Sequence, residues 1–160
     1  PVLSFTAEEI WQGNDFLLAE ADSVFLTTLK TLKDFDSDLS TEDWARLLEI
    51  KDEVNQAIED ARSSGIIKGS LDASIELKLE AKDFELIEKF ASEIHFFFIV
   101  SECVIAHGDS FGVSVFMASS EKCVRCWHRH ESVGSSKKHP ELCNRCEQNI
   151  EGPGEDRRFA

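Results

Sequence analysis

No apolar stretch in this chain of 160 residues comes near the roughly 18–20 residues that a bilayer-spanning helix requires. The longest, FFFIV at Phe96–Val100, has the length of a strand. The N-terminus, PVLSFTAEEIWQ, has no basic region ahead of an apolar one, so no secretory signal peptide is expected. Internal repeats and low-complexity tracts are missing too. Cysteine is scarce over most of the length, and the first 120 residues hold only Cys103. Its setting, SECVI, reads as a small buried apolar position rather than a reactive thiol. The chain opens on Pro and runs almost at once into a helix signature, so it is expected to be a piece of a longer protein.

What is present suffices for one hydrophobic core, or one core with a small satellite unit: 42% of residues are hydrophobic and 30% charged. The net charge of −14 is unevenly spread. Residues 121–160 carry eight Lys or Arg and seven Asp or Glu, whereas residues 1–120 carry nine and twenty-four. An acidic body repels phosphate, so any nucleic-acid contact has to be local and use the tail.

Along the chain, TAEE at Thr6–Glu9 has capping-box form and starts a helix that ends near Gly13. SVFLTTL at Ser23–Leu29 reads as an extended segment lying across helices. Ser40 with Asp43 is a second cap, followed by Trp44, Leu47, Leu48, Val54, Ala57, Ile58 and Ala61 at helical spacing and a stop at Gly65. Ala73, Ile75, Leu77 and Leu79 then alternate with polar residues, as in a half-buried strand. Phe84, Ile87, Phe90, Ala91 and Ile94 return to helical period. FFFIVSECVI and FGVSVFMA read as two more strands, with a turn around His107–Ser110. The expected fold class is α+β: a helical segment, a small three-stranded sheet with one packed helix, and a C-terminal zinc ribbon or knuckle.

That last module rests on Cys123, Cys126, Cys143 and Cys146, two CxxC pairs separated by sixteen residues. Each pair sits on a tight bend that turns two sulfurs to one side, and two such bends offer four thiolates in a tetrahedron, which suits Zn²⁺. The tail has few clear apolar residues, Val124, Trp127, Val133, Leu142 and Ile150 among them, too few for a core, so metal has to hold it. Two disulfides would need an oxidising compartment, and a redox site would use one CxxC rather than two in tandem. Iron in the same thiolate cage fits the spacing as well. His128, His130 and His139 are spare donors beside a shell that four thiolates already complete.

The tail as a whole resembles the C-terminal zinc module of bacterial-type isoleucyl-tRNA synthetases, a ribbon type shared with the zinc finger of formamidopyrimidine-type DNA glycosylases. The shared features are CxRCW at Cys123–Trp127, VG at Val133–Gly134, HPxLCxRC at His139–Cys146 and GExRxFA at Gly154–Ala160. Upstream, LSFTAEEIWQ is similar to the closing helix of that family's anticodon-binding domain. KDEVNQAIEDARSSGIIKGSLDASIEL is similar to the helix-to-strand junction beyond it. The resemblance implies residues 1–38 as the end of the helical domain with an extended linker, 39–120 as a long helix plus small α+β junction, and 121–160 as the zinc module.

It further implies a monomeric, cytoplasmic (or, in a eukaryote, organellar) ligase that joins isoleucine to its tRNA with ATP, with the tRNA's anticodon side as the partner and no membrane involved. HIGH-like and KMSKS-like sequences are lacking, so no catalytic residue is assigned in this chain and ATP belongs to the parent enzyme alone. In the family the zinc tail supports engagement of the tRNA. Lys122, Arg125, Arg129, Lys137, Lys138, Arg145, Arg157 and Arg158 supply cations for that role, and Trp127 with His128 supplies flat rings. Lys122, Arg125, Trp127, Arg129, Lys137, Lys138 and Arg145 are the RNA-binding candidates, with packing on the knuckle as the competing role for Trp127. The alternative function is a free-standing zinc-ribbon adaptor that binds nucleic acid or protein.

Overall fold

The computed structural model describes residues 3–28, 39–90, 93–155 and 157. The chain divides into two compact units, residues 1–38 and 39–160. Among the described residues no helix is long and apolar enough to cross a membrane.

The first unit contains α1 (Ser4–Gln12), a four-residue turn of helix α2 (Asp15–Leu18) and a one-turn 3-10 helix at Val24–Leu26. Helix α1 begins at Ser4 behind Leu3 and has no side-chain cap, so the box expected at Thr6 does not form. Its polar residues instead tie the following segment back. Ser23 Oγ and the Val24 N–H donate to the Glu8 carboxylate at 2.8 and 3.1 Å. Trp11 Nε1 and Gln12 Nε2 donate to the carbonyls of Ala21 and Asp22 at 2.7 and 2.6 Å. These bonds coil the chain at Val24–Leu26, where the sequence suggested an extended run; Leu29, the end of that run, lies outside the described residues.

The second unit opens with α3 (Thr41–Ser63), whose capping box is complete. Ser40 Oγ accepts from the Asp43 N–H, and the Asp43 carboxylate accepts from the Ser40 N–H, both at 3.0 Å. Leu47, Ile50, Val54, Ile58 and Ala61 make the buried stripe. Trp44 and Leu48, placed on that stripe by spacing, lie at its edge and are 42% and 54% exposed. Strand β1 (Ala73–Leu79) is central in a sheet of order β2-β1-β3. It pairs parallel with β2 (Glu102–His107) and antiparallel with β3 (Gly112–Met117). The register sets Ile75 between Cys103 and Val115, and Leu77 between Ile105 and Val113. The alternation predicted for β1 holds, with Ala73, Ile75, Leu77 and Leu79 all buried.

The crossover from β1 to β2 differs from the single helix and long strand expected. Helix α4 (Ala81–Glu88) ends before Phe90, and a separate short helix α5 (Ile94–Phe98) follows; Ala91 lies outside the described residues. The aromatic run thus closes a helix instead of opening a strand. Ile99, at φ 57°, provides the left-handed stop, and the Val100 and Ile99 N–H groups return to His95 and Phe96 carbonyls at 3.0 and 3.1 Å. That is a Schellman closure, ordinarily built on Gly, so no stop signal was visible. A β-branched residue there is strained, and the burial of Ile94 and Phe98 on either side offsets it.

Leu77 is fully buried in the central strand. Leu77→Ala is expected to cost about 2–5 kcal/mol in urea unfolding, and Leu48→Ala under about 1 kcal/mol as a change at an exposed site. Equal losses for the two would contradict this placement of the core.

Candidate metal centre and its basic surround

The first knuckle is a tight hairpin closed by a bridge between Lys122 and Arg129. The Cys123 N–H donates to the His128 carbonyl at 2.9 Å, and the Trp127 N–H to the Cys123 carbonyl at 2.9 Å. Trp127 makes the reversal in the left-handed region, at φ 68°. The second knuckle uses a helix start: Cys143 is the N-cap of α6 (Asn144–Glu151), and Cys146 lies within its first turn. The Val124 N–H donates to the Glu141 carbonyl at 3.2 Å and joins the two.

The four sulfurs lie within 4.8 Å of one another, and the Cys126–Cys143 separation is 3.7 Å. A regular Zn–thiolate tetrahedron with bonds of about 2.3 Å has S···S edges of roughly 3.8 Å, so the donor set fits this ion. Cys123, Cys143 and Cys146 are buried, and Leu142 and Val133 pack against the cluster. Burial pushes the Cys123 thiol up, but N–H groups of Cys126, Cys143 and Arg125 outweigh it and bring it down to about 6. Burial raises Cys143 to about 12, and Cys146 also lies above its ordinary value. The cage can hold one structural zinc.

The histidines are engaged elsewhere. His128 Nδ1 is 3.3 Å from the Cys126 carbonyl, and burial, then Arg145, lowers its pKa to about 4, so the ring is neutral near pH 7. His130 Nδ1 meets Ser132 Oγ at 2.8 Å, and His139 Nε2 meets Glu151 at 3.0 Å. Cys103 stands on β2, partly buried against the main core, and burial raises its thiol to about 12, which removes it from thiolate chemistry.

The seven RNA-binding candidates sort by what they touch. Arg129 is spent inside the molecule: its Nε donates to Asp72 Oδ1 at 3.0 Å and its Nη1 to the Ser120 carbonyl at 3.1 Å. Its backbone N–H donates to Ser101 Oγ at 2.7 Å, and that hydroxyl donates to the Leu71 carbonyl. Asp72 is buried; burial raises its carboxyl, but Arg129 and Lys122 outweigh this and hold it below the ordinary range. Arg145 stacks on Phe96 with its Cζ 4.8 Å from the ring centroid, and Arg157 does the same at 4.1 Å. Glu155 pairs with both, at 3.6 and 2.9 Å. Arg125 donates to Cys146 Sγ at 3.6 Å, and Lys138 pairs with Glu151.

The outer surface presents Trp127, which is 60% exposed, the exposed Lys137, and Lys122, whose Nζ lies 5.3 Å from the Trp127 ring centroid and 3.7 Å from Asp72 Oδ1. Arg158 lies outside the described residues. Asp72, Ser101 and Phe96 were missed from sequence. Each lies far along the chain from its partner and has no motif of its own; only the turn-forming Asp at the head of β1 could have raised a question.

Residues 120–149 match the family described as zinc finger found in FPG and IleRS, and residues 1–77 match the anticodon-binding domain of tRNA ligase. By class, then, the chain carries in order a match to a tRNA-ligase anticodon-binding domain and a match to a four-cysteine finger. Along its whole length it is 44% identical to the isoleucine–tRNA ligase of Dichelobacter nodosus, covering 17% of that protein. Similarity to the enzyme of Legionella pneumophila is 39% over 99% of the chain, and to that of Pseudoalteromonas atlantica 38% over 100%, each covering 18% of the relative. The chain matches the anticodon-binding domain and the C-terminal zinc-finger module of bacterial isoleucyl-tRNA synthetases, and spans less than one fifth of their length.

Metal analysis is expected to find one zinc per chain, lost in Cys143→Ser. Circular dichroism of that variant should retain the signal of α3 and the sheet, because their apolar core contains none of the four ligands. Full zinc occupancy in Cys143→Ser would overturn the four-thiolate assignment.

Proposed function

We propose that this chain is the anticodon-side, tRNA-engaging portion of an isoleucine–tRNA ligase, a bacterial enzyme of the cytoplasm, and that Cys123, Cys126, Cys143 and Cys146 hold its structural zinc. The order of modules carries the reading: an anticodon-binding segment and then a four-cysteine finger, in one chain similar along its length to isoleucine–tRNA ligases. A free-standing adaptor would not need the first of these. The parent enzyme would use ATP to activate isoleucine and pass it to tRNA; this portion would bind and orient the RNA.

RNA contact is assigned to the outer edge of the first knuckle. Trp127 offers an exposed ring for an unpaired base, Lys137 an exposed cation for phosphate, and Lys122 and Lys138, paired with Asp72 and Glu151 in the fold, would exchange those carboxylates for phosphates. Arg129 and Arg145, which bond inward to Asp72 and Phe96, are read as structural, and Arg125 as directed to the cage.

Changing Lys122, Lys137 and Lys138 together to Gln should flatten the salt dependence of tRNA binding by roughly two to three counterions, at about 0.7–0.9 per phosphate contact. Trp127→Ala should cost about 1–3 kcal/mol of RNA affinity with zinc retained. If both variants kept wild-type affinity across the salt range, the tail would be a structural cap and the RNA role would be withdrawn.

The chain alone is expected to give no isoleucine-dependent ATP–pyrophosphate exchange. In the full-length ligase, the same variants should impair charging of tRNA far more than adenylate formation. Exchange activity that is lost on mutation within this chain would refute its assignment as a non-catalytic portion.

A further inference from the structure

One carboxylate holds both ends of the first knuckle. Lys122 and Arg129, the residues whose bridge closes the hairpin, pair with Asp72 Oδ1 at 3.7 and 3.0 Å. Asp72 is buried, at the end of a one-turn 3-10 helix (Ser70–Asp72) that leads into β1. The other two strands end beside it. The Ala118 N–H, just past β3, donates to the Asp72 carbonyl at 2.8 Å. Ser101, just ahead of β2, donates its N–H to the Ala73 carbonyl at 3.0 Å and its hydroxyl to the Leu71 carbonyl. The same hydroxyl accepts from the Arg129 N–H at 2.7 Å, and Arg129 Nη1 donates to the Ser120 carbonyl at 3.1 Å. The knuckle is thus tied to the head of β1, the start of β2 and the segment after β3.

Between these tethers the chain reverses at Trp127, in the left-handed region at φ 68°. A bulky residue is strained there, and such a conformation persists where its surroundings over-determine it. Lys122 carries the tether as far as the ring, with its Nζ between the carboxylate at 3.7 Å and the Trp127 centroid at 5.3 Å.

We propose that Asp72 is a positioning residue for RNA engagement, which acts through Arg129 and Lys122 to fix the angle at which Trp127 is presented. The proposal rests on the RNA reading of Trp127. On charge grounds a carboxylate is out of place beside a phosphate-binding edge, because it repels the ligand and competes for Lys122. Stability does not account for it either, since apolar side chains of similar volume often replace a buried ion pair without loss. What a carboxylate on a forked guanidinium supplies is direction. A ring preset before RNA arrives loses less freedom on binding, so direction at this point becomes affinity.

The test is the affinity of the zinc-loaded chain for an isoleucine tRNA transcript at fixed salt. Asp72→Asn keeps the size of the side chain and removes one acid. If charge alone mattered it would bind tRNA more tightly; loss of positioning should weaken binding roughly ten-fold, within the span of couplings between contacting residues. Ser101→Ala removes the hydroxyl that holds the Arg129 backbone, leaves the charge unchanged, and should weaken binding about three-fold. Neither loss should add in full to that of Trp127→Ala, and each double variant should fall well short of the product of its single losses. Without RNA, in a chain carrying Trp11→Phe and Trp44→Phe, the fluorescence anisotropy of Trp127 should drop in Asp72→Asn while zinc content stays at one per chain. Should Asp72→Asn lose zinc, Ser101→Ala decides by the same non-additivity. Wild-type or tighter binding by zinc-loaded Asp72→Asn, or losses that multiply in full with Trp127→Ala, would overturn the positioning role and leave the RNA reading standing. Wild-type affinity in Trp127→Ala would instead overturn the RNA reading, and this proposal with it.

Discussion

Four sulfurs within 4.8 Å of one another do for residues 121–160 what a hydrophobic core does for the rest of the second unit. Among the described residues, Leu142 and Val133 are the apolar partners that pack around the cage. So little apolar burial does not offset the conformational entropy lost in ordering the tail. The deficit has to be met by bonds to a metal, and every other feature of the tail is arranged around that requirement. The reversal at Trp127 aims Cys123 and Cys126 together, and the helix start at Cys143 aims Cys143 and Cys146.

A cage held this way would swing freely if nothing fixed it to the sheet. Three arginines do so, at two places. Arg129 reaches the buried Asp72 at the head of β1, with Ser101 bridging backbone groups beside it. Arg145 and Arg157 grip Phe96 at the end of α5. The left-handed Ile99 belongs to the same arrangement, because stopping α5 there leaves Phe96 facing the tail while Phe98 enters the main core. A buried ion pair such as Arg129–Asp72 contributes little net stability after desolvation, but breaking one side of it is costly. Such a pair therefore fixes orientation more than it adds stability.

What could be read from sequence was local. The Ser40–Asp43 box, the alternation from Ala73 to Leu79 and the two CxxC pairs each declare themselves within a few residues, and the structure bears out all three. What could not be read depended on distant partners. Nothing near Asp72 indicates an arginine fifty-seven residues away, and nothing in FFFIV indicates a helix that ends on a non-glycine stop. The TAEE box fails because α1 starts earlier, at Ser4 behind Leu3, which places Thr6 inside the helix rather than at its cap. The cations could be counted as a group, but a count has no direction, and direction separates a strut from a contact.

That separation changes the electrostatic character of the tail. Residues 121–160 have eight basic and seven acidic side chains, yet the arginines at 125, 129, 145 and 157 bond to sulfur, carboxylate or ring within the fold. The outward positive charge is left to Lys137 and to Lys122 and Lys138, whose flexible stems are exposed although they pair with Asp72 and Glu151. On the proposed reading, so small a set beside a strongly acidic body gives weak, salt-sensitive phosphate attraction by itself. Selective engagement then has to draw on the exposed ring of Trp127, whose stacking is insensitive to the body's charge, and on the fixed angle at which Arg129 and Phe96 hold the knuckle that presents it. On that reading the inward arginines would contribute to recognition through geometry, while the few outward lysines would supply the charge.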